Sequence, residues 1–484
     1  MEKTPLDIEP REESVVATLS ASALGSPIRR IWNPSPSVKH RTEPYDVPQT
    51  LRIGVAGSVE TGARFSPPPF AVIVEHDNGK AFVGVGADHG WHRWNEAVFR
   101  AEADRLTVSI DLEGHTDPQD ALQHVRFEVI PGEPGESLDT LLARGLRQQY
   151  PGASAAANLS RPDWWYRPIY CGWGDQATVS MYLEGVGPEP RALAYCTQGL
   201  YERWIRRLEQ ANVPFGTVII DAGWSPAGVW VPDTVKWPDL KGFIARQHER
   251  GRRVLLWLAT WLHQGLPASW CIHCNGTPLT ADPTNPEYQA FLKAKVHHLI
   301  SPDGYDADGF KIDQLAFCPS ERHPIGGERF GATGEHNPPG KRMRPSADVW
   351  GCELLYLLQK QIYDAAKTAK PDALVTSSTV HPYFHDTLDM VRLHDMGHVA
   401  TDIFAAMGAR AALSRAALPG KPIDADDWIH TDYALWLRYT SHGRTIGVPC
   451  IFYAGRFMLN WSAEPATKMI PLRDLRRIAA AWRQ

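Results

Sequence analysis

Near Trp164 the hydrophobic pattern of this 484-residue chain switches from one repeat to another. Ahead of it, short runs alternate apolar and polar residues with a period of two. Beyond it, apolar strands alternate with amphipathic helices. A strand-then-helix repeat has to lay its strands parallel, because a tight turn cannot join parallel neighbours. Eight such segments can be read after Trp164, enough to close a barrel. They are Ile169–Trp173, Val218–Asp221, Arg253–Leu258, the run holding Lys311 and Asp313, Ala373–Ser378, Met390–Leu393, Lys421–Asp424 and Val448–Tyr453. Between them, Leu200, Trp204, Ile205 and Leu208 share one helix face, and Thr284-Asn285-Pro286 is a helix start.

The earlier part reads as antiparallel. Phe70–Val74, Ala81–Val85, Leu106–Ile110 and Arg126–Ile130 are short strands, and Asp77-Asn78-Gly79 is a hairpin signal. Residues 1–50 read as a frayed start or edge strands. Ser137 opens a helix running to about Tyr150, and a linker follows. The expected architecture is therefore an α/β chain: an N-terminal antiparallel β-sandwich over 1–150, then a (β/α)8 TIM barrel over 151–484.

Composition excludes some classes of function. A net charge of -5 supplies no basic patch for nucleic acid. No apolar run is long enough to span a bilayer, and the N-terminus lacks a signal-like segment. A cytoplasmic protein with reduced thiols is expected, and a homo-oligomer is compatible with it. Cys271-Ile272-His273-Cys274 with His263 could hold a metal, but a second thiol pair at matching spacing is missing, so free thiols are preferred. No cofactor or metal is expected. The 18 tryptophans are many, and those in loops suit stacking on sugar rings.

The chemistry centres on Asp308-Gly309-Phe310-Lys311-Ile312-Asp313. Alternation puts Lys311 and Asp313 on one face of a strand end. That end faces the active site in a barrel of this kind. A nearby ammonium keeps a buried carboxylate ionised, and an ionised, positioned carboxylate can attack an anomeric carbon. Other polar residues follow the remaining strands: Asp175, Asp221 and Trp224, Trp257 and Trp261, His381, Tyr383 and His385, Arg392, His394, Asp395 and His398, and Asp424, Asp426 and Asp427. Each alone has a structural explanation, such as a helix N-cap. Their recurrence at one barrel face points to a site.

These residues resemble motifs of the clan D glycoside hydrolases, chiefly family 36, the α-galactosidases and raffinose-synthase-like proteins. Val218-Ile219-Ile220-Asp221-Ala222-Gly223-Trp224 is similar to that family's Asp-Asp-Gly-Trp element. Gly309–Asp313 is similar to its Lys-x-Asp nucleophile strand, and Val391–Asp395 to its acid/base segment. The resemblance implies a retaining α-glycosidase acting on an oligosaccharide or glycoside. Asp313 would be the nucleophile and Asp395 the general acid/base. Lys311 and Asp221 would bind sugar hydroxyls, Trp224 and Trp257 would shape the pocket, and Arg392 would orient the ring. Trp173 and Asp175 are further substrate-binding candidates.

One departure bears on the sugar. The family's paired acids appear here as Asp221-Ala222, so one acceptor for a 4- or 6-hydroxyl is missing. An α-galactosidase is the first expectation. The alternatives are a transglycosylase of the raffinose-synthase type, an α-glycosidase for a glucoside or pentopyranoside, and a non-catalytic sugar-binding protein.

Overall fold

The computed structural model describes residues 6–33, 43–54, 67–155, 159–185, 191–226, 228–259, 261–313, 315, 318–322, 342–393, 402–426, 432–459 and 466–484. Two five-stranded antiparallel sheets form its N-terminal part. The strands are β1 (Asp7–Arg11), β2 (Ser14–Ser20), β3 (Ile28–Trp32), β4 (Tyr45–Asp46), β5 (Gln49–Gly54), β6 (Ala71–His76), β7 (Gly79–Ala87), β8 (Glu96–Ala101), β9 (Arg105–Asp111) and β10 (Val125–Pro131). One sheet runs β1-β2-β9-β8-β5 and the other β10-β7-β6-β3-β4. The period of two is visible in β9, where Leu106, Val108 and Ile110 are buried between half-exposed Thr107 and Ser109. The turn between β6 and β7 is the expected one, with His76 pairing Gly79.

The second part is a parallel barrel. Its strands are β11 (Ile169–Cys171), β12 (Thr217–Ile220) and β13 (Arg253–Ala259), then, after a small hairpin of β14 (Cys271–Cys274) and β15 (Thr277–Ala281), β16 (Gly309–Asp313), β17 (Leu374–Ser377), β18 (Met390–Arg392), β19 (Ile423–Asp424) and β20 (Cys450–Ile451). They pair in the order β19-β18-β17-β16-β13-β12-β11-β20. A parallel bridge from Asp424 to Val448 joins the two ends of that sheet. Strands buried on both faces read as continuous apolar runs. In β12 all four residues are buried.

The expected first strand is too long by two residues. Trp173 is the first residue of a helix, Trp173–Glu184, with Gly172 at its N-cap, so Asp175 belongs to a helix rather than to a strand end. The other helix starts follow their sequence signals. Asp239 accepts from the Gly242 N–H to begin Leu240–Glu249, and Asn285 accepts from Glu287 and Tyr288 ahead of Pro286–Ile300.

The sandwich is tied to the barrel by two sets of contacts. On one side, Glu113 lies buried and accepts from Asn95, Ser320, the Glu321 backbone and the Trp350 indole. Arg322 and Arg342, at the two ends of the long segment after β16, both pair with Glu13. The middle of that segment lies outside the described residues. On the other side, the stretch after β17 reaches the sandwich. Tyr383 stacks on His92 with ring centroids 3.8 Å apart, and His381 packs against Phe70 at 5.1 Å.

Two expectations follow from this fold. Gly309 opens β16 at a φ of 147°, and a Cβ there would sit 1.9 Å from the Leu374 carbonyl oxygen. Neither backbone can give way without breaking the β16–β17 pairing, so Gly309→Ala should lose more than about 3 kcal/mol. Urea denaturation reads that loss, and unchanged stability would contradict the tight approach. His381 is fully buried, and burial pushes it down to about 3. Its folded pKa lies below the unfolded value, so the folded state binds fewer protons between those limits. This group's contribution is therefore complete above about pH 6.5 and falls as the pH drops toward 3, by on the order of 5 kcal/mol in all. His381→Asn keeps an acceptor for the Tyr383 N–H that His381 now binds, at 3.1 Å. It should flatten the acid side of a stability–pH curve; an equally steep curve would assign that slope to other groups.

Candidate active site

In a parallel sheet, register partners point to the same face, and so do residues two apart on a strand. Lys311 pairs with Trp257 on one side and Thr376 on the other, and Asp313 pairs with Ala259. Thr376 pairs with Met390, and two residues on Arg392 pairs with Asp424. In the other direction Leu255 pairs with Ile219, and Ile219 with Cys171. The interior face therefore carries Cys171, Trp257, Lys311, Asp313, Thr376, Arg392 and Asp424. Asp221 continues it, two residues beyond Ile219.

Below Asp313 lies a buried ion pair. The Lys311 Nζ stands 2.6 Å from Asp221 Oδ2, and both side chains are 3% exposed. The Cys171 thiol donates to the same oxygen at 3.1 Å, and Nζ reaches the sulfur at 3.5 Å. Asp221 Oδ1 accepts from the Ala222 N–H at 2.8 Å, and the Asp221 N–H is held by the Tyr201 hydroxyl at 2.9 Å. Burial and the Arg392 guanidinium push the Lys311 pKa down, but the Asp221 carboxylate, with Cys171 and Asp313, outweighs them and the net shift is upward. Lys311 stays charged. Burial raises the Cys171 pKa, so its thiol stays protonated and can donate.

Asp313 stands at the C-terminal end of β16 with its side chain 20% exposed, far more open than the pair beneath it. The Trp257 indole donates to its Oδ2 at 3.0 Å, and Arg392 Nη1 lies 3.7 Å from its Oδ1. Trp257 is in turn fixed by the Trp224 indole, which donates to its carbonyl at 2.8 Å. Arg392 is shared: its Nε and Nη2 both reach Asp426 Oδ2, at 3.0 and 2.9 Å. The result is a carboxylate held by the Trp257 indole, with a guanidinium close by, open to solvent at one side, over a floor of neutralised charge. It can act as a nucleophile or bind a cationic centre.

Five of the residues expected from sequence thus meet: Asp221, Lys311, Trp257, Arg392 and Asp313, with Trp224 behind Trp257. Asp175 is placed differently. It is fully buried, with the Ala454 and Gly455 N–H groups on its two oxygens at 2.8 and 2.9 Å and the Tyr170 hydroxyl at 2.9 Å. Burial pushes its carboxyl up to about 7 against those donors. Trp173 is half-buried beside it at the helix start. Asp395, the expected acid/base, lies outside the described residues, as do His394, His398 and Asp427. Two other acids of that segment stand before β18, Asp389 at its start and Asp386 three residues earlier. Asp389 accepts from the Val375 N–H at 2.9 Å and pairs with Lys367 at 2.7 Å, and Asp386 accepts from the Tyr356 hydroxyl. Asp389 does not share a barrel end with Asp313. Among the described residues no group of three or more His, Cys, Asp and Glu could hold a metal, and Cys271 is spent on the Pro267 carbonyl. No helix among them is long and apolar enough to cross a membrane. A separate cavity lined by Trp164, Arg167, His248 and Arg253 opens at the opposite end of the strands.

Sequence reasoning left Cys171, Tyr201 and Asp426 without a role. Asp426 already stands among the strand-end acids read from sequence, though with no role of its own. Asp424-Ala425-Asp426 repeats the alternation of Lys311-Ile312-Asp313 at the next strand end but two. Cys171 and Tyr201 carry no sequence signal, since a buried thiol and a buried phenol are ordinary core residues.

No family model and no curated protein matches the sequence. Solved structures do match. A cycloalternan-degrading enzyme from Trueperella pyogenes in complex with a covalent intermediate aligns at 16% identity and a TM-score of 0.52, over 90% of this chain and 58% of that one. The same enzyme in complex with isomaltose aligns at 15% and 0.53, over 90% and 61%. A Flavobacterium johnsoniae GH31 dextranase complexed with glucose aligns at 10% and 0.56, over 92% and 51%. The chain spans between half and three fifths of the length of these proteins. At such identities the likeness is one of fold. It corrects the family expected from sequence: the matching structures are cycloalternan-degrading enzymes and a GH31 dextranase, and family 36 is set aside. The reason is physical. A charged residue, an apolar one and a carboxylate at a barrel strand end is a pattern the geometry favours, and a few such triplets do not separate related barrels.

Proposed function

We propose that the chain is a retaining α-glycosidase acting on α-glucosides, with Asp313 as its nucleophile. The observation that carries this reading is Asp313 itself: an accessible carboxylate at a strand's C-terminal end, held by the Trp257 indole and faced by the Arg392 guanidinium. Donors on a carboxylate keep it ionised at neutral pH. The fold likeness to enzymes captured with a covalent intermediate, with isomaltose and with glucose favours glucosides among the sugars. Asp221-Ala222, with one acid where two were expected, agrees with a sugar other than galactose.

In this mechanism an Asp313 oxygen attacks the anomeric carbon as the bond to the leaving oxygen breaks. A general acid, assigned to Asp395, gives that oxygen its proton. The same residue, now a base, then takes a proton from water, which attacks the glycosyl ester and frees Asp313. The buried Lys311–Asp221 pair supplies fixed polar groups to the sugar-binding side. Incubation with aryl α-glycosides of several sugars and with isomaltose tests the substrate. Trapping with 5-fluoro-α-glucosyl fluoride and peptide mass analysis tests the nucleophile. Mass added to the peptide holding Asp313 is the expected result. Label on another peptide, or no α-glucoside cleaved, would overturn the proposal. Product transferred to a second sugar rather than to water would instead make the enzyme a transglycosylase.

A further inference from the structure

Among the described residues, Asp424 is an acid of the barrel interior with no use in the mechanism above. It is fully buried, faces inward as the register partner of Arg392, and among the described residues no nitrogen or hydroxyl donor meets its oxygens, only the weak Cys450 thiol being directed at it. A buried carboxylate in that state is costly, and buried polar atoms are seldom left so. Two cations are close at hand, yet both are engaged. Lys311 is held by Asp221 at 2.6 Å, and Arg392 spans Asp426 and Asp313. An ionised Asp424 could not coexist with that arrangement. It would compete for the guanidinium beside it.

We propose that Asp424 is a positioning residue for Asp313: as the neutral acid it leaves Arg392 shared between Asp426 and the nucleophile, and on losing its proton to solvent it draws the guanidinium away. The inference rests on the reading of Asp313 as nucleophile. The groups facing Asp424 from each neighbouring element bear it out. Asp426 on its own segment opposes a second negative charge. Arg392 from β18 and Lys311 from β16 favour one, and so, more weakly, does a hydrogen bond from the Cys450 thiol of β20. Burial comes first among the causes, and with Asp426 it holds the Asp424 carboxyl well above the usual carboxylate range. Behind Lys311, Asp221 and the Cys171 thiol complete the ring. The Thr376 hydroxyl, also interior, is unpartnered and adds no competing charge.

The test is the alkaline side of the kcat/KM profile. α-Glucosyl fluoride is the substrate, because fluoride leaves without needing a proton and the general acid then drops out of that limb. In the wild-type protein the limb reports one ionisation. Asp424→Asn cannot ionise, so its limb should move up by at least one pH unit. At one unit above the wild-type midpoint it should hold at least about five times more of its own neutral plateau than wild type holds of its plateau. Asp424→Thr, equally unable to ionise and smaller, should behave alike and serves if the amide variant does not fold. Superimposable limbs in wild type and either folded variant would overturn the role of Asp424. Labelling of Asp313 by 5-fluoro-α-glucosyl fluoride, run on the wild type in parallel, separates the two ideas. Labelled protein with superimposable limbs removes only Asp424, and unlabelled, inactive protein removes the glycosidase reading and this one with it.

Discussion

Asp313→Asn should abolish turnover of α-glucosides while leaving the fold in place. The amide keeps the size of the side chain and still offers an oxygen to the Trp257 indole, which now donates to Asp313 at 3.0 Å. Arg392 keeps Asp426 as its partner, so no buried charge is orphaned. The lost step is bond formation to the anomeric carbon. A fall in kcat of at least about 10⁴, on the order of 5 kcal/mol of transition-state stabilisation, is the expected size. Thermal unfolding should shift by little. Asp313→Gly with added azide extends the test, because a small nucleophile in the vacated space should restore turnover and yield the β-glucosyl azide. That product has the anomeric configuration of attack from the side opposite the leaving group. Undiminished turnover in Asp313→Asn, or azide without effect while Asp313→Gly remains folded, would remove Asp313 from the reaction.

The architecture was legible because each half obeys one period. Hydrophobic spacing of two gave the sandwich strands, and strand-then-helix gave the barrel, down to the short β19 around Ile423 and Asp424. What misled was the run Ile169–Trp173, apolar throughout. An apolar run of five carries no period of its own, and only Gly172 marks the change from strand to helix. Trp173 and Asp175 inherit that error as strand-end residues. The tie between the halves was not legible at all. Glu113, His92 and His381 look like unrelated polar residues in sequence, and each reaches its own partners only because the fold brings separated loops together.

The site was partly legible for a similar reason. Lys311, Asp313, Asp221, Trp257 and Arg392 are fixed by strand alternation and barrel closure, so their meeting could be argued from spacing alone. Which partner each takes could not. Sequence pairs Lys311 with Asp313, two residues apart, whereas the ammonium is bonded across the barrel to Asp221, 90 residues away. The sugar could not be read from these residues either. The lesson of Asp221-Ala222 is that a missing carboxylate narrows the hydroxyls a pocket can hold, and says nothing by itself about which relative of the barrel carries it.

That cross-barrel pair carries the second large effect. Lys311→Met keeps the length of the side chain and removes its charge. Asp221 then stays buried at 3% exposure with the Cys171 thiol and the Ala222 N–H as its donors, and without a cation. Removing one partner of a buried pair typically costs about 3–5 kcal/mol, a large share of the roughly 5–15 kcal/mol that holds a domain folded. The deficit should shrink as the pH is lowered, because an unpaired buried carboxylate takes up a proton more readily than the same group in the unfolded chain. The double variant Lys311→Met, Asp221→Asn leaves no buried charge and should recover most of the lost stability in urea denaturation, yet remain inactive because both polar groups of the sugar-binding floor are altered. The combination of stability regained and activity absent is what distinguishes a pair retained for chemistry from one retained for folding. A single Lys311→Met variant as stable as wild type at neutral pH would mean that the pair contributes no net stability.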